Sequence, residues 1–289
     1  MGPRALPPAE RVRRRVAAVA GEIVARQLPT GYQRVGRVLL LRLPETLRPQ
    51  FSEIGDAWRA ELGVGAVLRH SGGVVGEFRI PRLELIAGED ARTEVVEYGI
   101  RYRLDAREVL FARGNRTERH RAGTVTRPGE IVADLFAGIG YFALPAALLG
   151  RAGEVWAVEK NPVSFHYLLE NVRVNHVADR VRALRGDNRE VQLPLAAFNR
   201  VFLGYLPSSV PWVPRAMALL RSGGGTLHVH LVQDSRDGRA AAETEVHRAV
   251  ERARGSGIRT TSRTVKTYGP GREHVVVDVE TKPQPAGAG

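Results

Sequence analysis

Residues 131–161 read IVADLFAGIGYFALPAALLGRAGEVWAVEKN, and this stretch decides the fold. An apolar run ends at Asp134, a glycine-bearing turn follows at Gly138-Ile139-Gly140, a helical segment reaches Leu148, and a second apolar run, 155–158, closes on Glu159. Strand, turn, helix and strand in that order make one βαβ unit. Glycines at the strand-to-helix turn let a ligand approach the backbone, and an acid at the tip of the next strand, about 20 residues on, is placed to accept from both ribose hydroxyls. A lone G-x-G also suits an ordinary tight turn in some other α/β protein. Asp134 before the turn, Glu159 at its distance and Gly186-Asp187-Asn188 after the following strand together favour a nucleoside ligand. They suit S-adenosylmethionine better than a dinucleotide, because Ala143 stands where the third glycine of G-x-G-x-x-G belongs and no pyrophosphate cradle is evident.

Downstream, Asn161-Pro162 starts a helix over 162–174, a strand over 181–185 leads into Gly186-Asp187-Asn188, and a fourth strand spans 199–206. Its carboxyl end, residues 204–209, lies where open α/β sheets place substrates. A helix over 211–220, a strand over 225–232, a long helix over 239–254 and a hairpin of 258–267 with 273–281 complete the expected order. The predicted class is α/β, a Rossmann-like methyltransferase-type domain over 106–282 followed by a disordered tail at 283–289. Upstream, helical spacing of Val12, Val16, Val19 and Ile23 predicts a basic helix over 9–27 within an N-terminal segment 1–32. Short β-like runs around one helical stretch, 45–62, predict a smaller α+β domain over 33–105. Residues 109–122, with Arg113, Arg116, Arg119, Arg121 and His120, read as a surface loop; Asn115, Glu118 and Arg119 mix amide, acid and base as a substrate-positioning loop would. His228 and His230 share one strand face, either as a substrate-facing pair or as satisfied core residues, and no carboxylate or third histidine at a companion spacing makes them a metal site.

Among 289 residues, 43 Lys and Arg against 31 Asp and Glu give a net charge of +12. Such an excess points to a polyanionic partner, because counterion release drives binding to phosphate backbones. Lysine occurs only at 160, 266 and 282, so the cations are almost all arginine, which suits bidentate phosphate contact and equally a GC-rich genome. The absence of cysteine excludes disulfides, thiolate catalysis, zinc ribbons and cysteine-ligated clusters. No apolar run approaches the roughly 18 residues of a membrane span and no signal-peptide core is present, so a soluble, cytoplasmic protein is expected.

GN-x-x-ER at 114–119, DLFAGIGYFALP at 134–145, VEKNP at 158–162, GDNRE at 186–190 and GYLPSS at 204–209 together resemble the tRNA wybutosine-synthesis aminocarboxypropyltransferases, close relatives of the tRNA guanine-N1 methyltransferases. Two of these segments, DLFAGIG and VEKNP, are common to both branches. The methyltransferase branch carries Asn-Leu-Pro at the fourth-strand end, where this chain has Gly204-Tyr205-Leu206-Pro207. The resemblance implies transfer of the 3-amino-3-carboxypropyl group of S-adenosylmethionine to a wyosine-type base beside the anticodon of phenylalanine tRNA, leaving methylthioadenosine. It implies cofactor contacts at Asp134, Phe136, Gly138, Gly140, Glu159, Lys160, Asp187 and Asn188, and catalytic positions at Asn115, Glu118, Arg119 and Tyr205. The N-terminal tRNA-elbow module common in the methyltransferase branch is not expected here. Other readings are guanine-N1 methylation, a small-molecule aminocarboxypropyl transferase or S-adenosylmethionine cyclase, and a non-catalytic RNA-binding protein, against which the intact Asp134, Gly138, Glu159 and Asp187 argue.

Overall fold

A computed structural model of the chain describes residues 6–254 and 258–282; the tail expected at 283–289 lies outside the described residues. Two compact units emerge, one of residues up to Val96 with Arg101–Phe111, the other of Glu97–Ile100 with Ala112 onward. No helix among the described residues is long and apolar enough to cross a membrane.

The first unit opens with α1 (Pro8–Ala20) and α2 (Glu22–Arg26), where one continuous helix was expected. Gly21 interrupts it at φ 89°, a conformation that leaves the helical region. Val12 and Val16 of α1 are buried in the same core as Leu39, Leu41, Ile54 and Trp58, so the basic helix is part of this unit and not a separate segment. Its apolar stripe is only half used, since Val19 and Ile23 are exposed. Strands β1 (Gln33–Val35), β2 (Val38–Leu41), β3 (Ala66–Val75) and β4 (Ile80–Ala87) form one sheet in sequence order. The parallel β2–β3 pair needs a crossover, supplied by a 3-10 turn at Glu45–Gln50 and helix α3 (Phe51–Leu62). Pro49 sits in that turn, and α-helical bonding begins only after it. The hairpin of β5 (Arg92–Glu97) and β6 (Ile100–Asp105) follows.

In the second unit the chain runs α4 (Arg116–Val125), β7 (Ile131–Asp134), α5 (Ala143–Leu148), β8 (Glu154–Glu159), α6 (Pro162–Val174), β9 (Val181–Arg185), β10 (Arg200–Leu203), α7 (Val213–Leu219), β11 (Thr226–Asp234), α8 (Gly238–Arg254), β12 (Ile258–Gly269) and β13 (Arg272–Thr281). Its seven strands lie in the order β12-β13-β11-β10-β7-β8-β9. The five from β11 to β9 are parallel, and β13 inserts antiparallel between β11 and β12. Strands β7, β10 and β11 bury Ala133, Val201, Leu203, Leu227 and Val229 against Ala216 of α7 and Val246 and Val250 of α8. This is the expected methyltransferase-type sheet.

Two expectations fail here. The segment 109–122, expected as a loop, forms a 3-10 turn at Arg113–Asn115 and then α4. The buried face of α4 is made of Glu118, Arg119, Ala122 and Gly123, so an apolar periodicity never marked it as a helix. The fourth strand ends at Leu203 and not at 206: the chain turns away at Gly204 and returns beside β11, where Ser209 N–H donates to His230 O at 2.9 Å and Val232 N–H to Pro207 O at 2.7 Å.

Candidate cofactor and transfer site

Strand order reverses between β7 and β10, so the crevice beyond their carboxyl ends is where a ligand of an open α/β sheet binds. The turn after β7 needs its glycines, with φ 56° at Gly138 and 100° at Gly140. A Cβ on Gly140 would stand 2.7 Å from Leu144 Cγ. Asp134 lies beneath this turn, fully buried, and its carboxylate accepts from Phe136 N–H at 3.3 Å and Ala143 N–H at 3.1 Å. In this arrangement Asp134 fixes the turn against the start of α5.

Burial pushes the Asp134 carboxyl up to about 7, against the pull of its N–H donors and with repulsion from Glu159 added. The unfolded chain ionises this group near 3.8. The stability it contributes is therefore full below that value and is lost as pH rises through the folded value, at about 1.4 kcal/mol per pH unit in between. Asp134→Asn should flatten the fall between those limits; urea unfolding of both proteins across the interval measures it, and parallel curves would remove Asp134 as the cause.

Glu159 ties β8 to the same turn. One carboxylate oxygen accepts from Gly138 N–H at 2.7 Å and the other from Asn161 N–H at 2.6 Å. Burial raises its proton affinity, and those donors oppose the rise. With Lys160 N–H as a third backbone donor against about four lone-pair sites, the carboxylate keeps acceptor capacity for a hydroxyl of a diol. Asp187, expected among the cofactor contacts, holds Arg189 at 2.5 Å and Lys160 at 3.1 Å, and the Arg189 hydrogen bond first, with Lys160, keeps it well below the usual carboxylate range. Lys160 thus reaches Asp187. Asn188 donates to Leu135 O at 3.1 Å, but its Oδ1 is buried with no hydrogen-bond partner. An orphaned buried acceptor costs about 1–3 kcal/mol. A nucleoside amino group would satisfy it, so the residues present fit the cofactor.

On the other side of β7 the chemistry is aromatic. A Cβ on Gly204 would stand 2.7 Å from Phe142 Cε2, and Phe142 is itself stacked on His230 at 5.1 Å. Any larger residue at 204 must displace that ring. Tyr205 stacks on Phe136 at 5.2 Å, and Trp212 meets Phe136 at 5.1 Å and Tyr205 at 5.4 Å, edge to face. Sequence reasoning missed Trp212, whose only signal is its position nine residues past the end of β10.

Asn115, Glu118 and Arg119 do not converge on one point. Asn115 Oδ1 is buried with no hydrogen-bond partner and does not cap α4. Arg119 makes two bonds to Glu97, at 2.7 and 2.8 Å, and a third to Ala112 O at 3.1 Å. Glu118 faces the other way, paired with Arg263, with Arg121 at 3.6 Å and His230 Nε2 at 3.8 Å. A chain of buried polar groups continues from there. Arg121 reaches Asp278 at 2.6 Å, Asp278 reaches His228 Nδ1 at 2.6 Å, and Arg200 links His228 Nε2 at 2.8 Å to Glu130 at 2.8 Å. Arginine can only donate, so His228 Nε2 accepts and Nδ1–H donates to Asp278. Burial holds His228 and His230 neutral, while Asp278 falls to about 2 because His228 and Arg121 outweigh its own desolvation. Both histidines are core residues, His228 with both ring nitrogens bonded and His230 with Nδ1 2.8 Å from His274 Nε2 while its Nε2 is buried with no hydrogen-bond partner.

The chain matches the TRM5/TYW2 methyltransferase domain over residues 93–258 and the TYW2 N-terminal domain over 12–91. It is 36% identical over 271 residues to the tRNA(Phe) (4-demethylwyosine(37)-C(7)) aminocarboxypropyltransferase of Pyrococcus horikoshii, covering 93% of this chain and 95% of that protein. The crystal structure of P. horikoshii TYW2 in complex with MeSAdo matches with a TM-score of 0.85 and 32% identity over 96% of this chain and all of that one. That of Methanocaldococcus jannaschii TYW2 in complex with AdoMet matches with a TM-score of 0.70 and 26% identity, over 88% of this chain and all of that one. Similarity of this extent across both units means that the chain belongs to the TRM5/TYW2 family, in its TYW2 branch.

Proposed function

We propose that this protein transfers the 3-amino-3-carboxypropyl group of S-adenosylmethionine to a wyosine-type guanosine beside the anticodon of phenylalanine tRNA, releasing methylthioadenosine. The observation that carries this reading is the similarity to an aminocarboxypropyltransferase of that tRNA along nearly the whole of both chains. Bound S-adenosylmethionine supplies a sulfonium whose three carbons are open to displacement, so the outcome depends on which one faces the acceptor. In the proposed transfer the acceptor carbon bonds to the γ-carbon, the γ-carbon–sulfur bond breaks, and the ring proton leaves to solvent or a nearby base. The chain contributes position. Glu159 and Asn188 hold the nucleoside at the ends of β8 and β9, and Gly204 leaves the fourth-strand end without the amide that the methylating relatives carry.

The test uses cofactor labelled in the methyl group or in the carboxyl group, with tRNA carrying the wyosine precursor. Label entering RNA only from the carboxyl preparation, with methylthioadenosine released, is the expected result. Methyl label in RNA with S-adenosylhomocysteine released would replace the reading with guanine methylation.

Binding to tRNA rests on the arginines left at the surface. Arg119 and Arg121 are committed to Glu97 and Asp278, whereas Arg113 and Arg116 are exposed. If about four phosphates are neutralised by the whole protein, log affinity falls with log salt at a slope of about −3 to −4, and each of Arg113→Gln and Arg116→Gln reduces the slope by about 1. Filter binding over a salt series measures both; a flat dependence in the wild type would favour a small-molecule acceptor.

A further inference from the structure

The rings of Phe136, Tyr205 and Trp212 come from three different places, the turn after β7, the turn after β10 and the 3-10 turn at Val210–Trp212, yet they pack as one cluster. All three are half-buried. Their exposure is not fraying, because Ser209 and Val213, on either side of the 3-10 turn, are completely buried. Ser209 also anchors the segment: it accepts from Tyr205 N–H at 3.1 Å, and its hydroxyl lies 2.8 Å from the carbonyl oxygens of Leu203 and Tyr205. The chain therefore holds an aromatic surface open at the carboxyl edge of the sheet.

Position in the sheet says which ligand it meets. Glu159 and Asn188 follow β8 and β9, on one side of β7, while Tyr205 and Trp212 follow β10, on the other, and Phe136 stands at the seam where the strand order reverses. The nucleoside half of the crevice is thus separate from the aromatic half. A base drawn out of its strand for chemistry is commonly held by stacking on such side chains, and a fused three-ring base presents more π-surface than guanine.

We propose that Trp212 is a specificity-determining residue that stacks on the acceptor base and favours a tricyclic purine derivative over guanine, an assignment that rests on the aminocarboxypropyl-transfer reading. The full-length protein, Trp212→Leu and Trp212→Phe are compared in three measurements. In steady-state transfer to tRNA carrying 4-demethylwyosine, Trp212→Leu should lower kcat/KM by about 5- to 100-fold, chiefly through KM, with Trp212→Phe restoring most of it. Calorimetry should show S-adenosylmethionine affinity changed by less than about twofold in both variants. Intrinsic fluorescence should be quenched more by tRNA carrying the tricyclic base than by tRNA with guanine there, and Trp212→Phe should abolish the difference. Cofactor affinity lost with acceptor kinetics unchanged would give the cluster to the nucleoside and overturn the proposal, as would three unchanged measurements. If the wild type transfers nothing to this tRNA, the functional reading fails, and the fluorescence difference still decides whether Trp212 meets the base.

Discussion

Arg119→Met should lower stability by about 3–5 kcal/mol in equilibrium urea unfolding, the largest effect expected of any single change described here. Both partners of the Arg119–Glu97 pair are withdrawn from water, with side chains 3% and 8% exposed, and the geometry is two parallel N–H···O bonds. Removing the guanidinium strands a carboxylate in a buried setting and leaves Ala112 O without that donor. The loss measures the stranded charge more than the worth of the pair, so Glu97→Leu added to Arg119→Met should recover most of it. That double variant also separates structure from catalysis. The resemblance places Arg119 among the catalytic positions, while its three bonds describe a strut between the 97–100 turn and α4. Transfer activity within several-fold of wild type in the stable double variant would confine Arg119 to the strut, and a folded but inactive double variant would return it to the chemistry. A loss below about 1 kcal/mol in the single variant would mean that Glu97 finds water or another partner, and the strut would have to be given up.

Glu159→Gln should weaken S-adenosylmethionine binding by about 10- to 100-fold, as much as Glu159→Ala. An amide is ordinarily the mild replacement for a carboxylate. Here both oxygens already accept from backbone N–H groups, of Gly138 and Asn161, so the amide must turn its own N–H₂ toward one of those donors. The glycine turn then loses its tie to β8 at the same time as the ribose loses an acceptor. Calorimetric titration of both variants checks this; a glutamine variant that binds like wild type would show that the turn holds its shape without the carboxylate.

The βαβ core was legible because its signals are local. The apolar runs, the glycines at 138 and 140, and Asn161-Pro162 each act on the few residues around them, and helix 162–174 and strand 181–185 fall where the sequence places them. The tie between the glycine turn and Glu159 was legible for the same reason, since the spacing between them is set by one helix and one strand. What escaped depends on distant partners. Helix α4 hides behind a buried face of Glu118 and Arg119, whose neutralising groups lie at Glu97 and Arg263. The role of His228 depends on Asp278, fifty residues later, and on Arg200. The need for glycine at 204 follows from Phe142, brought there by α5 and the sheet. Trp212 is an unremarkable aromatic until Phe136 and Tyr205 close around it.

Strand β13 is the last of the described strands in sequence and yet lies inside the sheet, between β11 and β12. This has a consequence for synthesis. Until residues 272–281 are available, β11 presents an unpaired edge of nine apolar-rich residues, the kind of edge that recruits other strands. The same late strand carries Asp278, the acid that faces both Arg121 and His228. A nascent chain stopped short of it would hold an open sheet, with Arg121 lacking that counter-charge and His228 Nδ1–H lacking its acceptor. The second unit therefore stays open to misassociation at the β11 edge until β13 has been made and has paired there.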